Sequence, residues 1–223
     1  MSKSSSSRWL AIGVWLLLFV VNPGRNETVD VEIRRIVARQ LWTTGGVAVA
    51  SQIDGYTAWV KAGPDRWVAP YGIGQSLLLV PFDMMGAAVE RFAPVPTVRQ
   101  ATQTPGASHL EPDAERRLVG WLPIGLGMLP LLGLAYWFAL RALLEEWGFA
   151  RPWPTLGALA LFGGTIAFHY AGQAQEETLI ATCLTLATLF ALRLRRRPTW
   201  SDAVLTGLFA GCCILTRPVS VFG

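Results

Sequence analysis

Charge is scarce in this chain: Asp, Glu, Lys and Arg together make up 15% of its 223 residues, against 52% apolar types. That balance is more apolar than an average soluble domain and points to an integral membrane protein. Cysteine is limited to Cys183, Cys212 and Cys213, each inside an apolar run, where the thiol behaves as a small hydrophobe. Neither a disulfide framework nor a zinc spacing follows. The chain also has no G-x-x-x-x-G-K phosphate loop and no nucleophile elbow, so soluble nucleotide-binding and hydrolase chemistry has no foothold. His109, Glu111 and Asp113 lie in a polar, Pro-containing connector with no second His beside them, which leaves them without the pattern of a metal site.

What is present is a series of apolar segments, at Trp9 to Val21, Tyr71 to Phe92, Leu118 to Leu144, Thr155 to Tyr170, Glu177 to Leu194 and Ala203 to Phe222. A helix needs roughly 20 residues to cross the hydrocarbon, so several of these borrow their flanks. The first, within 9–22, follows the basic stretch MSKSSSSR and lacks a small-x-small cleavage site, so it reads as a retained anchor and not a signal peptide. The run Arg193 to Arg197 carries four Arg in five positions directly after an apolar segment. Such a cluster flanks a span on the cytoplasmic side, and nucleic acid is not the expected partner.

Parity then sets the topology. If all six segments crossed from a cytoplasmic N-terminus, the Arg193 to Arg197 cluster would emerge outside. The segment read as not crossing is 72–92, because Gly72, Gly74, Pro81 and Asp83 interrupt what would be its apolar middle. It becomes an interfacial helix. The expected fold is an all-α membrane protein, one membrane domain over 1–223, with about five transmembrane helices: 9–22, 118–144, 155–170, 177–194 and 203–222. Residues 23–117 form an outer excursion with ten Lys and Arg, tolerable because long loops translocate largely regardless of charge. The end at LTRPVSVFG, just after an apolar run, reads as the N-terminal portion of a longer protein.

Within the excursion, VDVEIRRIVARQLW has apolar residues at helical spacing (Val29, Ile33, Ile36, Val37, Leu41) with Glu32, Arg34, Arg35 and Arg39 between them. An amphipathic surface helix over 29–42 follows, its charged face in water. Glu27 and Asp30 near its start also suit a helix N-terminus for purely structural reasons. The following SQIDGYTAWVKAGPDRWVAPYG reads as short extended segments with turns at Asp54-Gly55 and Gly63-Pro64.

Two adjacent carboxylates, Glu176 and Glu177, open the segment LIATCLTLATLFAL. Ionisable groups near bilayer depth are costly and usually kept for a use. The strings PYGIGQSLLLVPFDMMG, FGGTIAFHYAGQAQEETLIATCLTLA and LTGLFAGCCILTRP, in that order, resemble the bacterial branch of the GT-C membrane glycosyltransferases, relatives of the protein O-mannosyltransferases and of lipid A aminoarabinose transferase. The resemblance spans nearly the whole chain as an N-terminal portion of that fold. It implies a polyprenyl-phosphate sugar donor and a first-loop acid acting near the acceptor, with Asp30 the nearest match and Glu27 and Glu32 as alternatives. The aminoarabinose branch starts this helix with Asp-Glu, whereas the string here is NETVDVE. Glu176 and Glu177 match a second acidic position, expected to face an outer, water-accessible cavity as an acceptor or metal site.

Glycosyl transfer needs a carboxylate to take the acceptor proton and cations to hold the developing phosphate charge. Arg116, Arg117 and Arg217, at expected outer ends of spans, suit the second task, since guanidinium grips phosphate oxygens in pairs. Arg116 and Arg117 equally fit snorkelling anchors. The reading is therefore a glycosyltransferase of the bacterial plasma membrane, with membrane lipid and lipid-linked sugar as partners and a divalent cation left open. A transporter or flippase component, which would show inverted repeats, and an inactive membrane scaffold are the competing readings.

Overall fold

The computed structural model describes residues 12–14, 16–17, 29–49, 60–64, 66–93, 119–165, 170–171 and 176–217. These residues are mostly helical: α1 (Val29–Thr44), α2 (Gly74–Phe92), α3 (Leu129–Glu146), α4 (Trp153–Gly163), α5 (Glu176–Arg196) and α6 (Trp200–Thr216), with a short hairpin of β1 (Val60–Gly63) and β2 (Arg66–Val68). The chain forms two compact units, one of residues 22–70 and 76–128, the other of 1–21, 71–75 and 129–223.

In the first unit, the antiparallel hairpin pairs Val60 with Val68 and Lys61 with Trp67 around the predicted turn at Gly63-Pro64. The predicted turn at Asp54-Gly55 lies outside the described residues. Helix α1 runs two residues past the predicted end at Trp42. Its packing differs from the expected surface helix. Val31, Ile33, Val37 and Ala38 are buried, and so are Arg34 and Arg35, at 3% and 4% exposure. The charged face is therefore not a solvated one, because α2 supplies acids opposite it, as detailed below. Helix α2 continues through Pro81, and a Cβ on Gly86 would overlap the Gly120 carbonyl, so glycine allows backbone to lie against the helix there.

The second unit is a bundle of α3 to α6. A π-helical turn, Pro123–Met128, leads into α3. Pro130 has no N–H, and in a regular α-helix a proline ring crowds the carbonyl one turn back, a conflict that a locally widened helix relieves. Trp137 is fully buried in a core with Val14, Leu140, Ala158, Phe162 and Ala171. Proline at the first turn starts α4, and Thr199 caps α6 by accepting a hydrogen bond from the Asp202 N–H at 3.1 Å. Acids at the start of α5 and arginines at its end both oppose the helix dipole favourably.

Among the described residues, two helices, Pro123–Glu146 and Glu176–Arg196, are long and apolar enough to cross a membrane. They match the predicted spans 118–144 and 177–194, each shifted by a few residues at its ends. Only 28% of the apolar window of α5 is buried, and Leu184 on it is 59% exposed. The core helix of a soluble domain is covered; this one presents apolar side chains outward. The predicted span 155–170 is shorter in the structure, since α4 stops at Gly163 and the chain turns at Gly164. Its 11 residues reach about 16 Å, roughly half the hydrocarbon thickness. The predicted span 203–222 becomes α6 ending at Thr216, with Arg217 in extended backbone before Pro218. Proline disfavours helical backbone in the residue before it, which places the boundary at Arg217.

Candidate functional site

One end of the bundle gathers α5's first turn and α6's last residues. Glu176, the first residue of α5, has a side chain only 8% exposed, and Arg217, half exposed, points its Nε to Glu176 Oε1 at 3.5 Å. Glu177 follows with its Oε2 buried and, among the described residues, without a hydrogen-bond partner. The Gly72 to Gly74 backbone lies directly on this corner. A Cβ on Gly72 would overlap the Leu215 and Thr216 carbonyls, and one on Gly74 would meet the Thr216 backbone N at 2.8 Å. The Gly-x-Gly of PYGIGQS is thus a close-approach element seated on the end of α6, where side chains larger than hydrogen do not fit. Thr216 is 1% exposed and its hydroxyl donates to the Cys212 carbonyl at 2.7 Å, which turns the side chain back onto α6.

The opposite end of the same bundle is basic. Glu146, last in α3, accepts from Arg193 Nε at 3.3 Å and from Arg196 Nη1 at 3.0 Å, both on α5's last turn. Helices α3 and α5 therefore run parallel, with α6 returning from Trp200 to Arg217. Glu176 and Arg217 sit at the end away from the arginine cluster.

Across the chain as a whole, no family model, curated protein or solved structure shows a match.

The predicted site residues divide clearly. Glu176 and Arg217, 41 positions apart and assigned different tasks, are brought together by the fold. Glu176 is closed in by its neighbours where the expectation was a water-facing acid. Asp30 and Glu32 lie on helical backbone in α1, but their side chains, and all of Glu27, Arg116 and Arg117, are outside the described residues. Among the described residues no three His, Cys, Asp or Glu side chains come together as ligands, and Glu176 faces Arg217.

Asp83 was legible only as an interruption of an apolar run. In the structure it is fully buried and accepts from Arg35 Nε at 2.9 Å, Arg39 Nε at 2.6 Å, Arg39 Nη2 at 2.8 Å and Trp42 Nε1 at 2.8 Å. Arg35 also reaches Glu90 at 2.9 Å and stacks over the Trp121 ring at 4.9 Å. Burial acts to raise the Asp83 pKa, but the hydrogen bonds from Arg39, Trp42 and Arg35 outweigh it and hold the carboxyl below 3.8. The group locks α1 to α2, a structural task. The sequence signal was limited to Arg35 and Arg39, one turn apart on one helix, and Asp83 within an apolar run.

The close approach at Gly74 is testable. Gly74→Ala forces its methyl into the α6 backbone and should cost about 1–3 kcal/mol. Gly211→Ala in α6, with nothing within 4 Å of the added carbon, should stabilise by roughly 0.5–1 kcal/mol, since alanine favours helix over glycine. Thermal melting in detergent reads both, and equal midpoints would refute the close-approach assignment.

Proposed function

We propose that the chain is a bacterial plasma-membrane glycosyltransferase-like protein of the GT-C type, using a polyprenyl-phosphate sugar at the outer face. The observation that carries this reading is Arg217, half exposed beside the buried carboxylate of Glu176 and the Gly72–Gly74 backbone, at the bundle end remote from the arginine cluster. A guanidinium so placed can take a phosphate oxygen while the basic end faces the cytoplasm. About five spans remain the proposed architecture, and two are long enough on their own.

The reaction follows from the chemistry of the donor. An acceptor hydroxyl attacks the anomeric carbon and its proton passes to the first-loop carboxylate, with Asp30 proposed and Glu27 and Glu32 as alternates. The bond from that carbon to the phosphate oxygen breaks, the configuration inverts, and polyprenyl phosphate leaves as an anion. Arg217 stabilises that developing charge.

Native membrane vesicles supplied with a panel of radiolabelled polyprenyl-phosphate sugars test the reading. Asp30→Asn should lower transfer by roughly 10²-fold or more with the protein still inserted. Unchanged transfer by that variant and by Glu27→Gln and Glu32→Gln ends the case for a first-loop base, and no transfer from any donor by the unaltered protein ends the glycosyltransferase reading.

Orientation has its own check. In a background without Cys183, Cys212 and Cys213, an impermeant thiol reagent added outside should modify a cysteine placed at Gln103 and spare one at Thr199. Labelling at Thr199 alone reverses the topology.

A further inference from the structure

Between the end of α3 and the start of α4, on the basic end of the bundle, an open apolar groove of about 430 Å³ is lined by Leu144, Phe149, Trp153, Gly157 and Leu161. Its volume falls in the range of small-ligand clefts. Gly157 widens it, since a side chain there would press on Leu144. Arg151 lies between two of the lining aromatics in sequence and is exposed. Arg195 and Arg197, at the end of α5 beside the pair that holds Glu146, make no ion pair among the described residues. Trp147, Trp153 and Trp200, 55%, 63% and 87% exposed, surround the same end. Exposed tryptophan at one level of an apolar bundle marks the headgroup depth of a bilayer.

We infer that this groove and its arginines form a binding site for an anionic phospholipid of the inner leaflet, one acyl chain lying in the groove and the phosphate held by Arg151, Arg195 and Arg197. Charge decides the occupant. An apolar groove alone would take any acyl chain, whereas Arg151, Arg195 and Arg197, which pair with neither Glu145 nor Glu146, favour a lipid with net negative charge over a zwitterionic one. Basic clusters bordering a span attract anionic headgroups by roughly fivefold in affinity for each arginine. Arg193 and Arg196 are not assigned this task because both are engaged by Glu146. The inference rests on the membrane reading alone and is independent of glycosyl transfer.

The test uses the whole protein in nanodiscs of equal phosphatidylglycerol and phosphatidylcholine, extracted into mild detergent, with retained lipid counted by mass spectrometry. Phosphatidylglycerol should be retained well above its input share. The triple variant Arg151→Gln, Arg195→Gln, Arg197→Gln should return retention to the input ratio. Leu161→Trp, at a half-exposed position, fills the groove without changing charge and should lower retention of both lipids. Excess glycerol phosphate should not displace the lipid. Retention at the input ratio by the unaltered protein overturns the proposal, as does undiminished enrichment in the triple variant. Full retention by Leu161→Trp removes the groove from the site, and displacement by glycerol phosphate shows a free-phosphate site in its place. Circular dichroism and size exclusion confirm that each variant keeps its helical fold.

Discussion

Asp83→Ala is expected to destabilise the unit that holds α1 and α2 by about 3–5 kcal/mol, the cost of leaving buried charge without its partner. The carboxylate is fully buried and receives hydrogen bonds from Arg35, Arg39 and Trp42. Removing it takes one carboxylate away from Arg35, whose side chain is 5% exposed and also bonds Glu90. Asp83→Asn retains an acceptor oxygen and should cost less. Limited proteolysis across a temperature series, monitoring cleavage within α1, measures both. Cleavage of Asp83→Ala at the unaltered protein's midpoint would show the cluster to be dispensable.

The same group sets an acid response. Its folded pKa lies below 3.8, the value expected of the unfolded chain, so its contribution is fully present above that value and is lost as pH falls through the lower folded pKa. Acidification from neutrality to about pH 5 should therefore leave α1 protected, since an ordinary carboxylate is still ionised there.

The second large effect concerns Arg217. Arg217→Ala should reduce sugar transfer by roughly 10²–10³-fold, the usual loss when a charge-stabilising donor is removed. Arg217→Lys keeps the charge but not the paired donors and should recover only part of it. Glu176→Gln separates this role from a merely structural one. If Arg217 serves only to pair with the buried Glu176, the Glu176 variant should match Arg217→Ala in activity and in melting temperature. If Arg217 holds phosphate, loss of the competing carboxylate leaves donor binding intact or tighter. Parallel losses in both variants, tracking stability, would sink the phosphate assignment.

The helices were largely legible because their signals are local. The apolar spacing of Val29 to Leu41, the acids opening α5 and the arginines closing it act within a turn or two, and the observed elements begin and end near them. Helix α4 is shorter than the predicted span because hydropathy averages over Gly163-Gly164-Thr165, whereas the backbone turns at Gly164. Proposed site residues were harder. Glu176 and Arg217 each had a reason to be noted, but nothing in either neighbourhood says that they face one another.

By itself, then, the sequence determined which segments are helical, which end of the bundle is basic, and that the chain carries acids where apolar side chains dominate. Those properties depend on composition and period. Only the tertiary structure decided that Arg34 and Arg35 are buried, that Asp83 and not water receives Arg35 and Arg39, that Glu176 is paired with Arg217, and that Gly72 and Gly74 are spacers against α6. The reason is physical: a charged residue on a helix defaults to solvent unless an opposite charge arrives to offset its desolvation. That charge comes from 48 positions away for Arg35, a distance over which helical periodicity carries no information.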